Sequence, residues 1–238
     1  MNKRLTAWSY SRLSTFEQCK RWAKLAYLDK IPEPPRPLPP GKTEHANDRG
    51  TRIHEAAEMF VKGGVDLIEE LKAFEEEFHQ LRELYETGVV SLETEWAFTE
   101  NWEPTAWMSK DCWARIKPDA LVFSEDGKSA TLIDYKSGKK RGNEIKHLEQ
   151  CQLYQLAAFL RNPDLEVVTT ELWYLDQNDM STVTYTRKQG LRYLKNFENR
   201  GRALTTEEDF PPNPNMYSCR WCPFGPKGTG HCTVGIQK

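Results

Sequence analysis

Two residues of opposite charge follow an apolar run in the stretch LIDYKSGKK, residues 132–140. Asp134 and Lys136 are two positions apart, so on a β-strand both side chains point to the same face, about 7 Å apart along the backbone. Three cations follow in the next loop: Lys139, Lys140 and Arg141. Together these groups are typical of a site that cleaves phosphodiesters. A surface salt bridge beside a solvated loop would have the same composition, since D-x-K is common by chance.

A second carboxylate, Asp119, lies one predicted strand earlier, in the stretch RIKPDALVF. The dipeptide Asp126-Gly127 predicts a hairpin turn between the two strands, which would bring Asp119 beside Asp134. Neighbouring carboxylates repel each other unless a divalent cation lies between them. Carboxylate oxygens and a carbonyl oxygen suit Mg²⁺, and the carbonyl of Tyr135 is a candidate third ligand.

An ion held at this point would lower the pKa of a bound water and brace a phosphate oxygen. Lys136 would orient the nucleophile and offset the charge that grows on the phosphate oxygens. The basic loop from Lys139 to Arg141 would bind the flanking phosphates of a nucleic acid.

Other polar residues occur on elements next to this strand. His54 lies on the rim of the apolar face of a predicted helix, where it reaches a cleft or is an ordinary half-buried histidine. Glu95 alternates with apolar neighbours and could add another oxygen ligand, and Glu93 has the same parity. Gln150 and Tyr154 share one face of a later helix, which lines the same cleft or is a solvated face.

Three of the six cysteines have the spacing C-x2-C-x9-C within a Gly/Pro-rich tail: Cys219, Cys222 and Cys232. This spacing is typical of thiolates that bind one metal centre. Cys19, near the N-terminus, is the best candidate for a fourth ligand, and His231 is an alternative if the metal is zinc. Cys112 and Cys151 are interpreted as ordinary buried residues.

The composition fits a globular protein with one large domain or a domain and a small lobe. The chain has 238 residues, 38% of them hydrophobic, and a net charge of −2, so nucleic acid would have to bind through local clusters of cations. No stretch approaches the roughly 20 apolar residues of a membrane helix, and no signal peptide is evident. We therefore expect an intracellular, cytoplasmic protein that does not bind membranes.

Hydrophobic periodicity predicts helices alternating with a meander of strands, which is a mixed α/β domain. Helices are predicted at about 9–31, 51–62, 65–86, 144–161 and 187–204. Strands are predicted at about 89–99, 112–123, 130–136, 166–175 and 181–186. Three tryptophans in one region could pack in the core or stack on bases of single-stranded DNA: Trp96, Trp102 and Trp107.

The order of these motifs resembles the PD-(D/E)XK nuclease superfamily and, within it, the RecB-like branch with the CRISPR-adaptation nucleases. In that family a helix histidine follows a glycine, then come a strand acid, (D/E)-x-K on the next strand, and Q-x-x-x-Y on a helix. The corresponding residues here are Gly50 and His54, Asp119, Asp134 and Lys136, and Gln150 and Tyr154. One departure is RIKPD, which lacks the glycine that often precedes the strand acid.

The resemblance implies a restriction-endonuclease-like core, a mixed central β-sheet flanked by helices, over residues 51–209. It implies Mg²⁺ or Mn²⁺ ligation by His54, Asp119, Asp134 and the Tyr135 carbonyl, with Lys136 catalytic. Gln150 and Tyr154 would position DNA or the active-site side chains.

The resemblance also implies a [4Fe–4S] cluster on the four cysteines, with zinc as the alternative. That cluster would join an N-terminal helical segment with a Pro-rich linker, 1–50, to a cysteine-rich tail, 210–238. The implied activity is that of a DNA exonuclease acting on ends or single strands in replication, recombination or repair. A viral origin would place it in the host-cell cytoplasm. The alternative is a non-catalytic DNA-binding or assembly module that keeps the fold.

Overall fold

The computed structural model describes residues 4–35 and 37–236. The α-helices are α1 (Tyr10–Gln18), α2 (Lys20–Ala23), α3 (Ala46–Val61), α4 (Glu75–Glu86), α5 (Glu144–Arg161), α6 (Arg187–Gly190), α7 (Leu194–Thr205) and α8 (Met216–Cys219). The strands are β1 (Val90–Leu92), β2 (Trp96–Phe98), β3 (Pro104–Thr105), β4 (Ala114–Ile116), β5 (Ala120–Phe123), β6 (Ser129–Lys136), β7 (Val167–Tyr174) and β8 (Asp179–Thr186). Among the described residues, no helix is both long and apolar enough to span a bilayer.

The chain divides into two compact units. Unit 1 combines three separate stretches, Met1–Pro37, Ala97–Arg115 and Lys195–Lys238, and unit 2 comprises Leu38–Trp96 and Ile116–Leu194. This division differs from the three consecutive segments predicted from the sequence, because 97–115 and 195–209 belong to unit 1.

A five-stranded sheet in the order β1-β5-β6-β7-β8 forms the centre of unit 2. β6 and β7 are parallel and the other neighbours are antiparallel. Parallel neighbours need a crossover connection, and α5 provides it between β6 and β7. The carboxyl end of β6 and the start of α5 therefore lie at the same end of the sheet.

Helices cover both faces of this sheet. On one face, Ile53 and Phe60 of α3 and Phe78 of α4 pack in one buried cluster with Tyr135 and Trp173. On the other face, Cys151 of α5 packs against Leu172 and Tyr174 of β7. Alternate residues of β6 point to opposite faces, so Tyr135 lies in the α3–α4 core while Asp134 and Lys136 point to the α5 side.

Unit 1 is built around α1, α7 and a three-stranded sheet in the order β3-β2-β4. The side chain of Ser9 caps α1 by accepting from the N–H of Arg12, as a helix N-cap requires. Trp8 and Trp113 meet edge to face with ring centroids 5.3 Å apart. A side chain at Gly201 of α7 would collide with both rings, so the glycine permits this close approach.

The predicted fold class is confirmed, while some element boundaries differ. The helix predicted at 144–161 has those bounds, and the hairpin of β5 and β6 forms as expected. The helix predicted at 51–62 begins earlier, at Ala46. The helix predicted at 9–31 is broken at Cys19, whose backbone is extended, and ends in a π-helical turn at Lys24–Leu28.

Candidate functional site

The β5–β6 hairpin places two buried acids side by side at one end of the sheet in unit 2. The last paired residues are Ala120 and Ile133, so Asp119 and Asp134 are the next two positions of the register. Both carboxylates are buried, with 8% of Asp119 and 4% of Asp134 exposed. Burial, followed by the charge of Asp134, raises the pKa of Asp119 from 3.8 to about 6. Such repulsion between buried carboxylates is relieved when a cation binds.

Both oxygens of Asp119 have partners. Oδ2 accepts the backbone N–H of Tyr135 at 2.6 Å, and Oδ1 lies 3.1 Å from Nδ1 of His54. In a β-strand the N–H and C=O of one residue point to the same side, so the Tyr135 carbonyl faces the edge of β6 that Asp119 occupies.

His54 approaches from α3. Its ring meets that of Tyr135 edge to face, with centroids 5.8 Å apart. Burial disfavours the charged imidazolium, but the hydrogen bond and the charge of Asp119 outweigh burial, so the pKa of His54 is raised. A divalent cation would compete with this proton, because a metal ligand must be neutral imidazole.

Glu93 completes a group of three side chains that could hold a metal ion. Ligand atoms of His54, Glu93 and Asp119 all lie within 4.8 Å of one another. Glu93 has the left-handed backbone conformation, with φ of 48°, and its N–H donates to the Asp119 carbonyl at 2.9 Å. Its carboxylate also pairs with Nζ of Lys117 at 2.6 Å.

The sequence-based choice of Glu95 is not supported by this geometry. Glu95 is exposed and lies outside the group of ligand atoms. Glu93 has the same alternation, and only the turn after β1, which bends the chain at a left-handed residue, decides which glutamate faces Asp119. Alternation along the sequence carries no signal of that bend.

Lys136 is held between an acid and an amide. Its Nζ lies 2.5 Å from Oδ2 of Asp134 and donates to Oε1 of Gln150 at 2.8 Å. Burial favours the neutral amine, but the charge and hydrogen bond of Asp134 outweigh burial, so the pKa of Lys136 is raised. The ammonium is therefore charged at neutral pH and remains a donor.

The predicted Gln150–Tyr154 pair continues this chain of hydrogen bonds. Nε2 of Gln150 donates to the Tyr154 hydroxyl at 2.7 Å, and that hydroxyl lies 3.3 Å from the carbonyl of Lys117. Tyr154 is buried, so this face of α5 is not a solvated one. One turn earlier on α5, Nδ1 of His147 lies 3.0 Å from the Tyr174 hydroxyl. His147 was not predicted, although it is three positions before Gln150 and so lies on the same side of the helix.

The basic loop divides into exposed and engaged cations. Lys139 and Arg141 are exposed at the end of β6. Lys140 instead pairs with Asp179 at 2.7 Å and lies over the ring of Tyr174 at 5.1 Å. Lys139 and Arg141 are therefore the accessible members of the predicted phosphate-binding run.

This geometry agrees with what sequence comparison finds. Residues 7–226 match the PD-(D/E)XK nuclease superfamily. The chain belongs to the PD-(D/E)XK nuclease superfamily. Its five-stranded mixed sheet flanked by helices is the restriction-endonuclease-like core of that superfamily, as predicted. The match does not distinguish a RecB-like branch.

No curated protein matches the chain. A solved structure, described as the crystal structure of SSO0001, aligns over 100% of this chain and 90% of its own, with 14% identity and a TM-score of 0.44.

PD-(D/E)XK nucleases use divalent metals, and the residues at the strand end fit such an ion. The group offers one imidazole nitrogen and the carboxylates of Glu93 and Asp119 within reach of one point. Hard oxygen donors of this kind prefer Mg²⁺ or Mn²⁺. Burial and the charge of Asp134 raise the pKa of Asp119, and a bound cation would offset that repulsion.

The four cysteines of the predicted cluster line one pocket within unit 1: Cys19, Cys219, Cys222 and Cys232. Two sulfurs accept backbone N–H groups at 3.4 Å, Cys19 from Asn213 and Cys219 from Asn215. The hydroxyl of Ser218, which also lines the pocket, is buried without a hydrogen-bond partner. N–H donors and an unused hydroxyl around thiols are the surroundings that a metal–thiolate centre needs.

The spread of the sulfurs bears on the choice of centre. A zinc ion with Zn–S bonds of about 2.3 Å holds tetrahedral ligands about 4 Å apart. Within the described residues, no three of the cysteine sulfurs lie within 4.8 Å of one another. His231, the alternative fourth ligand, is exposed, bonds to Thr229 at 2.8 Å and is not among the pocket residues.

Proposed function

We propose that this nuclease is a DNA exonuclease that hydrolyses phosphodiester bonds at DNA ends or in single strands. The observation that supports this most is the convergence of His54, Asp119 and the Asp134–Lys136 pair on one end of the unit 2 sheet. The resemblance of the motif order and of the cysteine spacing to the RecB-like branch supports the exonuclease assignment. Replication, recombination or repair are the processes in which such an enzyme would act.

The proposed metal ligands are His54, Asp119, Asp134 and the Tyr135 carbonyl, to which the geometry adds Glu93. Asp134 lies outside the group of ligand atoms and pairs with Lys136 in the metal-free protein. When bound, Mg²⁺ or Mn²⁺ would lower the pKa of a coordinated water and neutralise charge on the phosphate. The hydrogen bond from Tyr135 to Oδ2 of Asp119 fixes that carboxylate, so its Oδ1 points toward His54. A ligand fixed in this way loses little freedom on binding an ion.

In the metal-free protein Lys136 is protonated, which suits a hydrogen-bond donor rather than a base. In the free enzyme Asp134 and Gln150 hold its ammonium. We expect it to donate to the attacking water or to a non-bridging phosphate oxygen, where negative charge grows during attack. Gln150 and Tyr154 are positioning residues. Gln150 hydrogen-bonds to Lys136, and the Tyr154 hydroxyl lies beside the carbonyl of Lys117, just before β5.

We further propose that the cysteine pocket holds a [4Fe–4S] cluster rather than zinc. The C-x2-C-x9-C spacing with a distant fourth cysteine, as in the RecB-like branch, and N–H donors to two of the sulfurs support this choice. The cluster would cross-link Cys19 to the C-terminal cysteines within unit 1, and closing so long a loop reduces the entropy of the unfolded chain.

The test is incubation of end-labelled single- and double-stranded DNA with the protein and Mg²⁺ or Mn²⁺. We expect stepwise shortening from an end that EDTA stops and that Asp134→Asn abolishes. Cleavage of circular single strands would contradict the exonuclease assignment. Binding of DNA without any hydrolysis by the unaltered protein would favour a non-catalytic module instead.

A further inference from the structure

Two aromatic side chains near the C-terminal cysteines are exposed to solvent. Tyr217 is 83% exposed and Trp221 is 63% exposed, whereas Phe224, three positions further on, is fully buried. We name Tyr217 and Trp221 the aromatic pair. Isolated exposed apolar residues are ordinary, but two large rings on one short segment indicate a surface that a partner covers.

The segment that carries the aromatic pair is held in place. The side chain of Asn215 accepts the N–H groups of Tyr217 and Ser218 at 3.1 and 2.9 Å. The N–H of Asn215 in turn donates to the sulfur of Cys219. Trp221 follows α8 in a turn that its own N–H closes by donating to the Ser218 carbonyl at 3.1 Å. Their exposure is therefore a feature of an ordered surface.

The charge around the aromatic pair favours an anionic partner. Residues 210–238 contain Arg220, Lys227 and Lys238 and no aspartate or glutamate, although the whole chain has a net charge of −2. The guanidinium of Arg220 lies over the ring of Trp221, 4.9 Å from its centroid. Aromatic rings beside arginine in an acid-free segment are the composition of surfaces that stack unpaired bases.

Other tryptophans are less suited to this role. Trp96 and Trp102, which the sequence offered as stacking residues, are only 2% and 7% exposed. Trp107 is half-buried, so its ring is less accessible than that of Trp221. Within the part of the chain that the structure describes, Trp221 is the one tryptophan that is classed as exposed.

We propose that Tyr217 and Trp221 form a stacking surface for unpaired bases of single-stranded DNA, with Arg220 supporting the Trp221 ring. Stacking tolerates any base, so this surface would bind strands without reading their sequence. The inference rests on the proposed function only for the identity of the nucleic acid. It adds a second DNA contact, in unit 1, to the hydrolytic site of unit 2.

The experiment titrates the full chain with a labelled oligo-dT in EDTA and low salt, so that no hydrolysis occurs. Base stacking contributes about 1–3 kcal/mol per base, so Trp221→Ala or Tyr217→Ala should weaken binding roughly 5- to 150-fold. Trp221→Phe keeps a ring and should bind within a few-fold of the unaltered protein. A blunt duplex should show no difference between these proteins.

Met108→Ala is the matched control, since Met108 is 81% exposed in the same unit and lies outside the acid-free segment. Unchanged oligo-dT affinity in both alanine variants would overturn the inference, as would absence of binding by the unaltered protein. Tyr217 has so little buried surface that its variant keeps the test decisive if Trp221→Ala unfolds.

The outcomes separate this inference from the nuclease assignment. If the unaltered protein cuts no DNA but the aromatic variants lose oligo-dT binding, the nuclease proposal is wrong and this inference stands. If the same variants bind and cut DNA normally, this inference is wrong and the nuclease proposal stands.

Discussion

Asp119 is anchored by the backbone of Tyr135, whose N–H donates to Oδ2 of the carboxylate at 2.6 Å. The residue is thus fixed by the strand that also carries Asp134 and Lys136. Backbone pairing between β5 and β6 ends at Ala120 and Ile133. Beyond that pair, the Asp119 carboxylate takes the place of a backbone carbonyl as the acceptor for the Tyr135 N–H. The hairpin that makes the sheet therefore also aims the carboxylate.

Asp119 should make the metal-free protein less stable as the pH rises. Its folded pKa of about 6 lies above the ordinary 3.8, so its stabilising contribution is complete below pH 3.8 and is lost as the pH rises through 6. The loss amounts to about 3 kcal/mol at 1.36 kcal/mol per pKa unit. The raised pKa of His54 has the same sign.

Melting curves in EDTA between pH 4 and 8 check this prediction. Asp119→Asn should flatten the pH dependence and raise the melting temperature at pH 7.5 while abolishing cleavage. Asp111→Asn, at an exposed acid whose pKa is lowered, should leave the profile unchanged in this range. An identical slope in Asp119→Asn would show that the site does not dominate the pH dependence.

Glu93 and Glu95 provide a matched pair for testing the metal ligands. Glu93→Gln should raise the Mg²⁺ concentration needed for half-maximal cleavage roughly 10- to 100-fold, because it removes a charged ligand. Glu95→Gln should behave like the unaltered enzyme, since Glu95 lies outside the ligand group. Mg²⁺ titration of cleavage rates measures both, and equal responses would exclude Glu93 as the ligand.

Lys136 should be essential to catalysis but not to folding. Lys136→Met should lower kcat roughly 10²- to 10³-fold, the usual loss when one transition-state donor is removed. Single-turnover cleavage with saturating DNA and Mn²⁺ measures this effect, and circular dichroism checks the fold. Activity within a few-fold of normal would show that the lysine does not contact the reacting phosphate.

Gln150 should act through Lys136. Gln150→Leu breaks hydrogen bonds to both Lys136 and Tyr154, and we expect a loss of roughly 10-fold in kcat with KM unchanged. In the Lys136→Met background the same change should have little further effect, because the two residues belong to one network. Additive losses in the double variant would indicate an independent role for Gln150.

The cysteine pocket makes a prediction about colour and metal content. Anaerobically purified protein should be brown and contain iron and sulfide. Cys219→Ser should bleach it and lower its melting temperature, whereas Cys112→Ser, at a buried cysteine outside the pocket, should stay brown. Colourless protein with stoichiometric zinc would contradict the cluster.

Much of the site could be predicted from the sequence because its spacings are local. The period of two on β6 predicts that Asp134 and Lys136 share a face. The Asp126-Gly127 turn predicts that Asp119 lies beside Asp134. The period of 3.6 on α5 pairs Gln150 with Tyr154 in the same way. These relations need no knowledge of the rest of the chain.

The remainder depends on contacts between distant segments. The choice of Glu93 over Glu95 follows from one left-handed residue, which alternation does not encode. The engagement of Lys140 by Asp179 requires the crossover to have formed. Unit 1 joins three stretches that are far apart in the sequence, and hydrophobic periodicity contains no information about such joining.

Unit 1 has a consequence for how the chain is made on the ribosome. Phe16 of α1 packs edge to face against Phe210, with ring centroids 6.4 Å apart, and the carbonyl of Gln18 accepts from Asn213 at 3.1 Å. Synthesis runs from the N-terminus, so α1 emerges long before these partners. Unit 2 can collapse first, while α1 keeps an apolar face uncovered until Phe210 and Asn213 have been translated. Chaperones that shield nascent chains would meet that face, and ribosome stalling between these two segments would prolong the encounter.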